Sequence, residues 1–498
     1  MHRLKLARYR RGIQALFFVI FVVLLLVASK QVALPFPSQL FLELDPLIAL
    51  VTIIAGHPLT SALLYSLITV VVTLLLGRVF CGYACPLGTL IDLFSPLSKL
   101  LRVNQRIFER LKVLPLVILT MLLTLSAFKA GLALVLDPIS LVTRATTAII
   151  IFVKALPGFY SSYSSASSVG LENPGFGQAF GFEYPRLLDS SGWIVLFFVF
   201  VIGLNLLGKR FWCRYLCPLG GLLGLIGRVP LYRRKADAVA CTSCLKCSKV
   251  CDMDAVTGKG LSTDAANCLL CLKCRDNCPQ NAISSGLKPE LTSEIPSRRT
   301  AIAVIGGSIA ATALVPFKSL ATTQNPTLIR PPGVSSEELF LGKCMRCGEC
   351  LAACPTKVLQ PALLQYGIDA LWTPHMDFSA GVCDYSCNAC GQVCPTGAIA
   401  HLTLEEKQTF AVGSAEIDQN TCFRCGICYR VCPVPGSAIS VTRSPEAFDM
   451  FGRIGGVLLN VDSDKCIGCG LCEAACPVRE NKPIKVVRST VSSSASWE

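Results

Sequence analysis

The sequence of 498 residues contains 28 cysteines, which sort into regular groups without remainder. Six groups of four take up most of them: Cys241, Cys244, Cys247 and Cys251; Cys268, Cys271, Cys274 and Cys278; Cys344, Cys347, Cys350 and Cys354; Cys383, Cys387, Cys390 and Cys394; Cys422, Cys425, Cys428 and Cys432; Cys466, Cys469, Cys472 and Cys476. Five share the spacing C-x2-C-x2-C-x3-C, and the group beginning at Cys383 widens its first gap to x3. Three closely spaced thiolates wrap one corner of a 4Fe–4S cube, and a fourth, often followed by proline, reaches a neighbouring cube. The spacing therefore predicts six 4Fe–4S clusters and leaves open which fourth cysteine completes which cube. The last four cysteines, Cys81 with Cys85 and Cys213 with Cys217, form two copies of C-x3-C-P.

Competing chemistries for so many thiols fit less well. Disulfide frameworks belong to short secreted chains with irregular loops. Structural zinc sites divide their ligands between two distant C-x2-C knuckles rather than placing four within eleven residues. No C-x-x-C-H occurs, which excludes a c-type haem attachment signal. The four histidines, His2, His57, His375 and His401, are too scattered for a bis-histidine haem. No Gly-rich dinucleotide fingerprint follows a strand.

The elements that must position these thiols are largely apolar. Hydrophobic residues make up 52% of the chain and mean hydropathy is +0.56, values that suggest membrane spans. Four spans are expected, at about residues 13–29, 59–77, 113–136 and 193–207. The net charge of +14 is uneven: residues 1–316 carry 31 Lys and Arg against 15 Asp and Glu. That excess flanks apolar segments instead of covering a folded domain, which argues for a membrane protein and against a nucleic-acid partner. Arg78, Lys99, Arg102, Arg106, Arg110 and Lys112 surround the connection between spans two and three, and Lys209, Arg210, Arg214, Arg228, Arg233, Arg234 and Lys235 follow span four. By the positive-inside rule these regions, all four C-x3-C cysteines and the two cysteine groups between 241 and 278 face the cytoplasm.

An internal repeat divides the apolar part. FCGYACPLGTL at 80–90 matches WCRYLCPLGGL at 212–222, and LDPLIAL at 44–50 is echoed by LDPISLV at 136–142. Each half reads as an outside LDP loop plus two spans. A Ser/Gly-rich stretch at 159–192 is an extra outside loop in the second half. A pseudo-two-fold axis would bring the two C-x3-C pairs together. The site Cys81, Cys85, Cys213 and Cys217 then suits a further metal or cluster, or else a pair of dithiols. Within each pair, positions i and i+4 are expected on one helical face, about 6 Å apart. Glu43, Asp45, His57 and Asp137 are candidate proton acceptors for a quinol near the outer ends of the spans. For Asp45 and Asp137, each ahead of proline, helix capping is the alternative.

Four domains follow: residues 1–235, the four-span domain; 236–290, a cytoplasmic two-cluster domain; 291–320, a leader or fifth span; and 321–498, a four-cluster domain. Arg298 and Arg299 precede a Gly/Ala-rich apolar run at 301–316. The pair is similar to a twin-arginine signal, except that Ala301 stands where a bulky apolar residue is usual. On that reading the last domain lies outside the cytoplasm.

Residues 1–285 resemble the NapH family of membrane quinol-dehydrogenase components, relatives of the NosR core. The likeness rests on the four spans, the two C-x3-C-P motifs and the cytoplasmic pair of cluster motifs. Residues 297–498 resemble NapG/MauM-type ferredoxins, with a twin-arginine leader and four cluster motifs. The fold class implied is multi-domain: a polytopic α-helical membrane domain of four spans with a pseudo-two-fold repeat, joined to α+β ferredoxin-like domains. The resemblance implies a protein of the cytoplasmic membrane that oxidises quinol, a mobile substrate, and passes electrons to a periplasmic redox protein such as a cytochrome c or reductase. Two alternatives stay open: a wiring subunit of a larger respiratory complex whose quinone site is in another chain, and a membrane redox sensor. Nothing in the sequence supports a flavin.

Overall fold

The structure, a computed structural model, describes residues 6–28, 39–56, 64–96, 111–127, 134–154, 191–287, 304, 306–309, 328–443, 457–478 and 481–488. The chain forms two compact units. One contains Met1–Val27, Val32–Ala145 and Val195–Lys318, and the other chiefly Ser319–Glu498.

Four of the described helices in this part of the chain begin at a proline: Pro46, Pro86, Pro138 and Pro218. α1 runs Leu6–Ala28, α2 Leu40–Glu43, α3 Pro46–Ile54, α4 Ser66–Leu76, α5 Val79–Tyr83, α6 Pro86–Leu93, α7 Leu114–Ala127, α8 Pro138–Lys154, α9 Ser191–Gly203, α10 Phe211–Tyr215 and α11 Pro218–Ile226. The Asp45 side chain accepts from Leu47 N at 2.8 Å at the start of α3, and Asp137 accepts from Ser140 N at 2.7 Å at the start of α8. The LDP segments are thus helix starts rather than the loops expected from sequence. Proline at N1 lacks the N–H that would be orphaned there, and the aspartate satisfies another orphan.

Among the described residues, Tyr9–Ala28 is long and apolar enough to cross a bilayer by length and composition. Shorter apolar helices cover Ser66–Leu76, Leu111–Ala127, Pro138–Ile150 and Gly192–Leu206. Parts of the expected second and third spans, 59–63 and 128–133, lie outside the described residues, as do the 159–190 stretch and most of 301–316. Helix α4 is inverted relative to a surface helix of a water-soluble protein. Ser66, Thr69 and Thr73 are buried, while Leu67, Ile68, Val71, Leu74 and Leu75 are exposed. Thr69 Oγ1 donates to Leu44 O and Thr73 Oγ1 to Thr69 O, so the inward hydroxyls are satisfied. The α9 side chains Trp193, Leu196, Val199 and Phe200 are likewise exposed.

After α11 the chain enters a small antiparallel fold. β1 (Tyr232–Ala236) pairs with β4 (Ile283–Leu287) in the register Arg234↔Ser285, and β2 (Val256–Thr257) pairs with β3 (Ser262–Thr263). Among the described residues the second unit repeats the plan with three two-stranded antiparallel sheets: β5 (Leu359–Pro361) with β6 (Pro374–Met376), β7 (Ser414–Ile417) with β10 (Ile484–Val487), and β8 (Ile439–Arg443) with β9 (Val457–Val461). Such sheets bury little apolar area. Its clusters of buried side chains are lined by cysteines, with Cys344, Cys350 and Cys354 in one and Cys472 in another.

Candidate iron–sulfur sites

In each pair of motifs the fourth cysteine leaves its own group and joins the other. Cys251 lines one cavity with Cys268, Cys271 and Cys274, whereas Cys278 lines a second with Cys241, Cys244 and Cys247. The second unit repeats the exchange. Cys354 joins Cys383, Cys387 and Cys390; Cys476 joins Cys422, Cys425 and Cys428; Cys432 joins Cys466, Cys469 and Cys472. Cys394 correspondingly lies beside Cys344, Cys347 and Cys350. Each of the first five sets lines a separate pocket that is partly open to solvent. No three His, Cys, Asp or Glu side chains among the described residues gather as one metal ion requires. Four thiols spread around a larger void fit a polynuclear cluster better than tetrahedral zinc, whose sulfurs stand about 2.3 Å from the metal.

The loops that present the first three thiols share one backbone shape. In all five x2-x2 motifs the residue before the second cysteine and the residue after it have positive φ. These pairs are Ser243 and Leu245, Leu270 and Leu272, Arg346 and Gly348, Arg424 and Gly426, and Gly468 and Gly470. Two left-handed residues two positions apart wind the chain around a point, so that the side chains before, between and after them converge. The group with the x3 gap lacks them, and Asn388 (φ −124) precedes a short helix at Ala389–Gln392 instead. Sequence reasoning missed this shape: the glycines beside Cys347, Cys425 and Cys469 were an available signal, whereas Leu, Ser and Arg at the other positions carry none.

Backbone amides face the sulfurs. Ala255 N donates to Cys251 Sγ at 3.3 Å, Ile399 N to Cys394 Sγ at 3.4 Å, Ala438 N to Cys432 Sγ at 3.4 Å and Arg424 N to Cys422 Sγ at 3.3 Å. Such bonds favour the thiolate and adjust the reduction potential of a cluster. Burial acts the other way on the free thiols, pushing Cys268 and Cys383 up to about 12 and Cys274, Cys428 and Cys469 to about 11. Metal binding must displace those protons, so loading is favoured by rising pH.

The cavities are joined by protein contacts. Cys383 N donates to Cys469 O at 2.9 Å, which ties the Cys383 group to the Cys466 group. In the first unit the Cys268 group sits directly on the helical bundle. Tyr83 Oη donates to Leu270 O at 3.1 Å, and Arg78 Nη1 donates to Ala266 O and to Asn267 Oδ1 at 3.2 and 3.1 Å. Asp252 is paired with Lys209 and Lys273, and Asp254 with Arg214 and Lys112. Several cations read from sequence as an inside-facing charge excess therefore also dock the acidic CDMD loop.

The four C-x3-C cysteines are all buried, and the thiols of Cys85 and Cys217 each lie near both Cys81 and Cys213. Within each pair the expected single helical face is not found. α5 ends at Tyr83 and α10 at Tyr215, and the second cysteine is the extended N-cap of the next helix, because proline follows it. The halves interlock through arginines three residues ahead of each motif. Arg78 Nη2 donates to Cys213 O at 3.3 Å, and Arg210 Nη1 donates to Cys81 O at 3.2 Å. A Cβ on Gly220 would stand 2.5 Å from Arg78 Nη2, and one on Gly88 would stand 2.7 Å from Cys81 O. The glycine of each CPLG thus leaves room for this crossing, and the repeated Arg-x-[Phe/Trp]-Cys was the available signal for it.

Asp92 anchors the same region. Arg210 Nε and Nη2 grip its two oxygens at 2.7 Å each, Gln14 Nε2 donates at 2.8 Å, and Arg10 forms a further ion pair. Burial alone would raise this carboxyl, but the Arg210 and Arg10 guanidinium groups outweigh it and hold it well below the usual range. Of the candidate proton acceptors, Glu43, Asp45 and Asp137 are buried, the last two completely, whereas His57 lies outside the described residues.

Comparison with known proteins agrees with the cysteine arrangement. A family described as a 4Fe-4S binding domain matches residues 59–104 and again 191–237, once on each copy of the repeat. Families described as 4Fe-4S dicluster domains match 343–398, 382–436 and 415–485. The ferredoxin-type protein NapG of Escherichia coli is 34% identical over 152 residues, 29% of this chain and 64% of NapG, so the match spans under two thirds of that relative. The regulatory protein NosR of Pseudomonas aeruginosa is 28% identical over 196 residues, 38% of this chain and 22% of NosR. The methylamine utilization ferredoxin-type protein MauM of Methylophilus methylotrophus is 32% identical over 168 residues, 31% of this chain and 74% of MauM. With three quarters of that relative matched and its cysteines gathered in fours, this chain belongs to the MauM-type family of ferredoxin-like iron–sulfur electron-transfer proteins.

Proposed function

We propose that this protein is a membrane-bound conduit that takes electrons from quinol and passes them through six 4Fe–4S clusters to a redox partner outside the cytoplasm. The observation that carries the reading is the exchange of fourth cysteines, which distributes twenty-four thiols into six sets of four with no residue left over. Each cluster, when bound, supplies a one-electron couple. The residues of the chain hold the thiols, donate amides to them and set the distances between sets. Exchange within pairs, together with the bond from Cys383 N to Cys469 O, supports a relay order that departs from sequence order. Electrons in the last domain would pass among the sets headed by Cys344, Cys383, Cys466 and Cys422, in that sequence.

Support for the membrane is the inverted polarity of α4, together with the apolar outward face of α9. Aliphatic and aromatic side chains facing outward while hydroxyls face inward suit a lipid surroundings and would be costly in water. Residues 306–309, helical and with Gly307 close against Val117 of α7, support an apolar helix beside that bundle. The four buried C-x3-C thiols fit a seventh, polynuclear centre, or alternatively two dithiols. Purified anaerobically, the chain should contain about 24 iron and 24 sulfide per polypeptide for six clusters, and a quinol analogue should reduce them. Iron near one third of that value, or stoichiometric zinc, would refute the six-cluster assignment. Full iron without reduction by quinol would refute the quinol step alone.

A further inference from the structure

The two LDP motifs lie 92 residues apart in sequence, yet their aspartates meet. Asp45 and Asp137 are both 0% exposed. Each uses one oxygen to cap its own helix, Asp45 Oδ1 with Leu47 N and Asp137 Oδ2 with Ser140 N. Among the described residues none donates an N–H or O–H to the other oxygens, Asp45 Oδ2 and Asp137 Oδ1. The two side chains nevertheless lie against one another. Capping explains the first oxygen of each residue and leaves the second unexplained. Two carboxylate oxygens without donors, buried together, repel; a single proton between them removes one charge and makes the bond. No other ligand is needed to satisfy both atoms.

We propose that Asp45 and Asp137 share one proton across the internal repeat, as a buried carboxylic acid–carboxylate pair that serves as the proton acceptor of the helical bundle. The accepting role rests on the quinol reading above, whereas the pair itself does not. Oxidation of one quinol releases two electrons and two protons. The pair, with one negative charge, takes one proton from a quinol hydroxyl and becomes neutral. The O–H bonding electrons stay on the quinol oxygen, the two electrons leave to the iron–sulfur centres, and the second proton passes to water. The pair then returns its added proton to solvent. Because one half of the repeat supplies each carboxyl, neither half alone can make the site.

Infrared difference spectroscopy of the full chain in lipid, in H2O and D2O, tests the pair without relying on turnover. The expected result is one carboxylic-acid C=O band that shifts in D2O and is lost in both Asp45→Asn and Asp137→Asn. Asparagine caps helices as well as aspartate does and can donate to the remaining carboxylate, so both variants should fold. Absence of the band in the wild type, or its survival in both variants, overturns the shared proton. Loss of the band with quinol oxidation unchanged overturns the accepting role and leaves the pair standing. A wild type that shows the band but never oxidises quinol defeats the quinol reading and the accepting role together, again without touching the pair.

Discussion

Asp92→Asn is the most informative single change for the interlocked half of the bundle. Asp92 is the shared counter-charge of Arg210, which is 1% exposed, and of Arg10, which is 3% exposed. Removing one partner of a buried ion pair leaves an uncompensated cation and costs about 3–5 kcal/mol. Asparagine keeps one acceptor oxygen, Arg210 keeps its bond to Cys81 O, and Arg10 keeps Gly82 O and the more distant Asp252, so the loss should lie near the lower end, about 3 kcal/mol. Chemical denaturation in nanodiscs, followed by the fluorescence of the buried Trp212, measures it. Two further signatures separate this account from a surface salt bridge. The loss should change little with ionic strength, because buried pairs are screened weakly. It should also be acid-dependent in one direction only. A carboxyl held below its unfolded value stabilises the fold in full above about pH 4 and loses that stabilisation only as pH falls further. Replacing both partners, Arg210→Met with Asp92→Leu, should recover part of the loss, since no charge is then left alone. A cost below about 1 kcal/mol, or one abolished by salt, would show that Asp92 is not the anchor described.

Three other outcomes follow from particular residues. Cys278→Ser should alter the electron paramagnetic resonance signal of the centre held by Cys241, Cys244 and Cys247, and Cys251→Ser that of the Cys268 set; the opposite assignment would refute the exchange. Reporter fusions at Lys288 and at the C-terminus should report opposite sides of the membrane, and agreement between them would place all six cysteine sets in one compartment. His375 is lowered to about 4 chiefly by burial, so the folded state favours its neutral form. Its stabilisation is present above about pH 6.5 and is lost as pH falls from there towards 4, a change of about 3 kcal/mol that His375→Gln should remove from the acid unfolding profile.

What the sequence made legible was local or repeated. Cysteine spacing within eleven residues, the Asp-Pro helix caps weighed as the alternative to a proton-accepting role, and the doubled CPLG motif all depend on near neighbours, and each is recognisable in the structure. The exchange of Cys251 for Cys278 is not of this kind, because both cysteines follow the same x3 gap and only the folding of one motif onto the other distinguishes them. The geometry within Cys81–Cys85 was misread for a local reason that outweighed helical spacing. The proline after Cys85 disfavours helical backbone at that cysteine, so α5 stops and α6 starts anew. The meeting of Asp45 with Asp137 needed both the repeat and the depth of the bundle, and the sequence carries only the first.

The left-handed positions in the cysteine loops show how such a loop serves more than its cluster. Glycine fills them at Gly348, Gly426, Gly468 and Gly470, where no side chain opposes positive φ. Ser243, Leu245, Leu270, Leu272, Arg346 and Arg424 fill the others, each at a cost of about 1–2 kcal/mol relative to ordinary backbone. A loop needed only to present three thiols would do better with glycine throughout, so the bulkier residues must return something that glycine cannot. For the arginines the return is visible. Arg346 Nε and Nη2 donate to Leu371 O and Asp369 O at 2.7 and 2.6 Å, and Arg424 Nη2 reaches Gln419 O at 3.4 Å, fastening each loop to chain outside it. Arg346 is 1% exposed, between Cys344 and Cys347, so its charge also acts on whatever those thiols hold. A buried cation beside a cluster favours the more negative, reduced state, which raises the potential. The same side chain that fixes the loop would therefore bias a cluster held by the Cys344 set towards the reduced state, so the strain in its backbone would be offset by two functions.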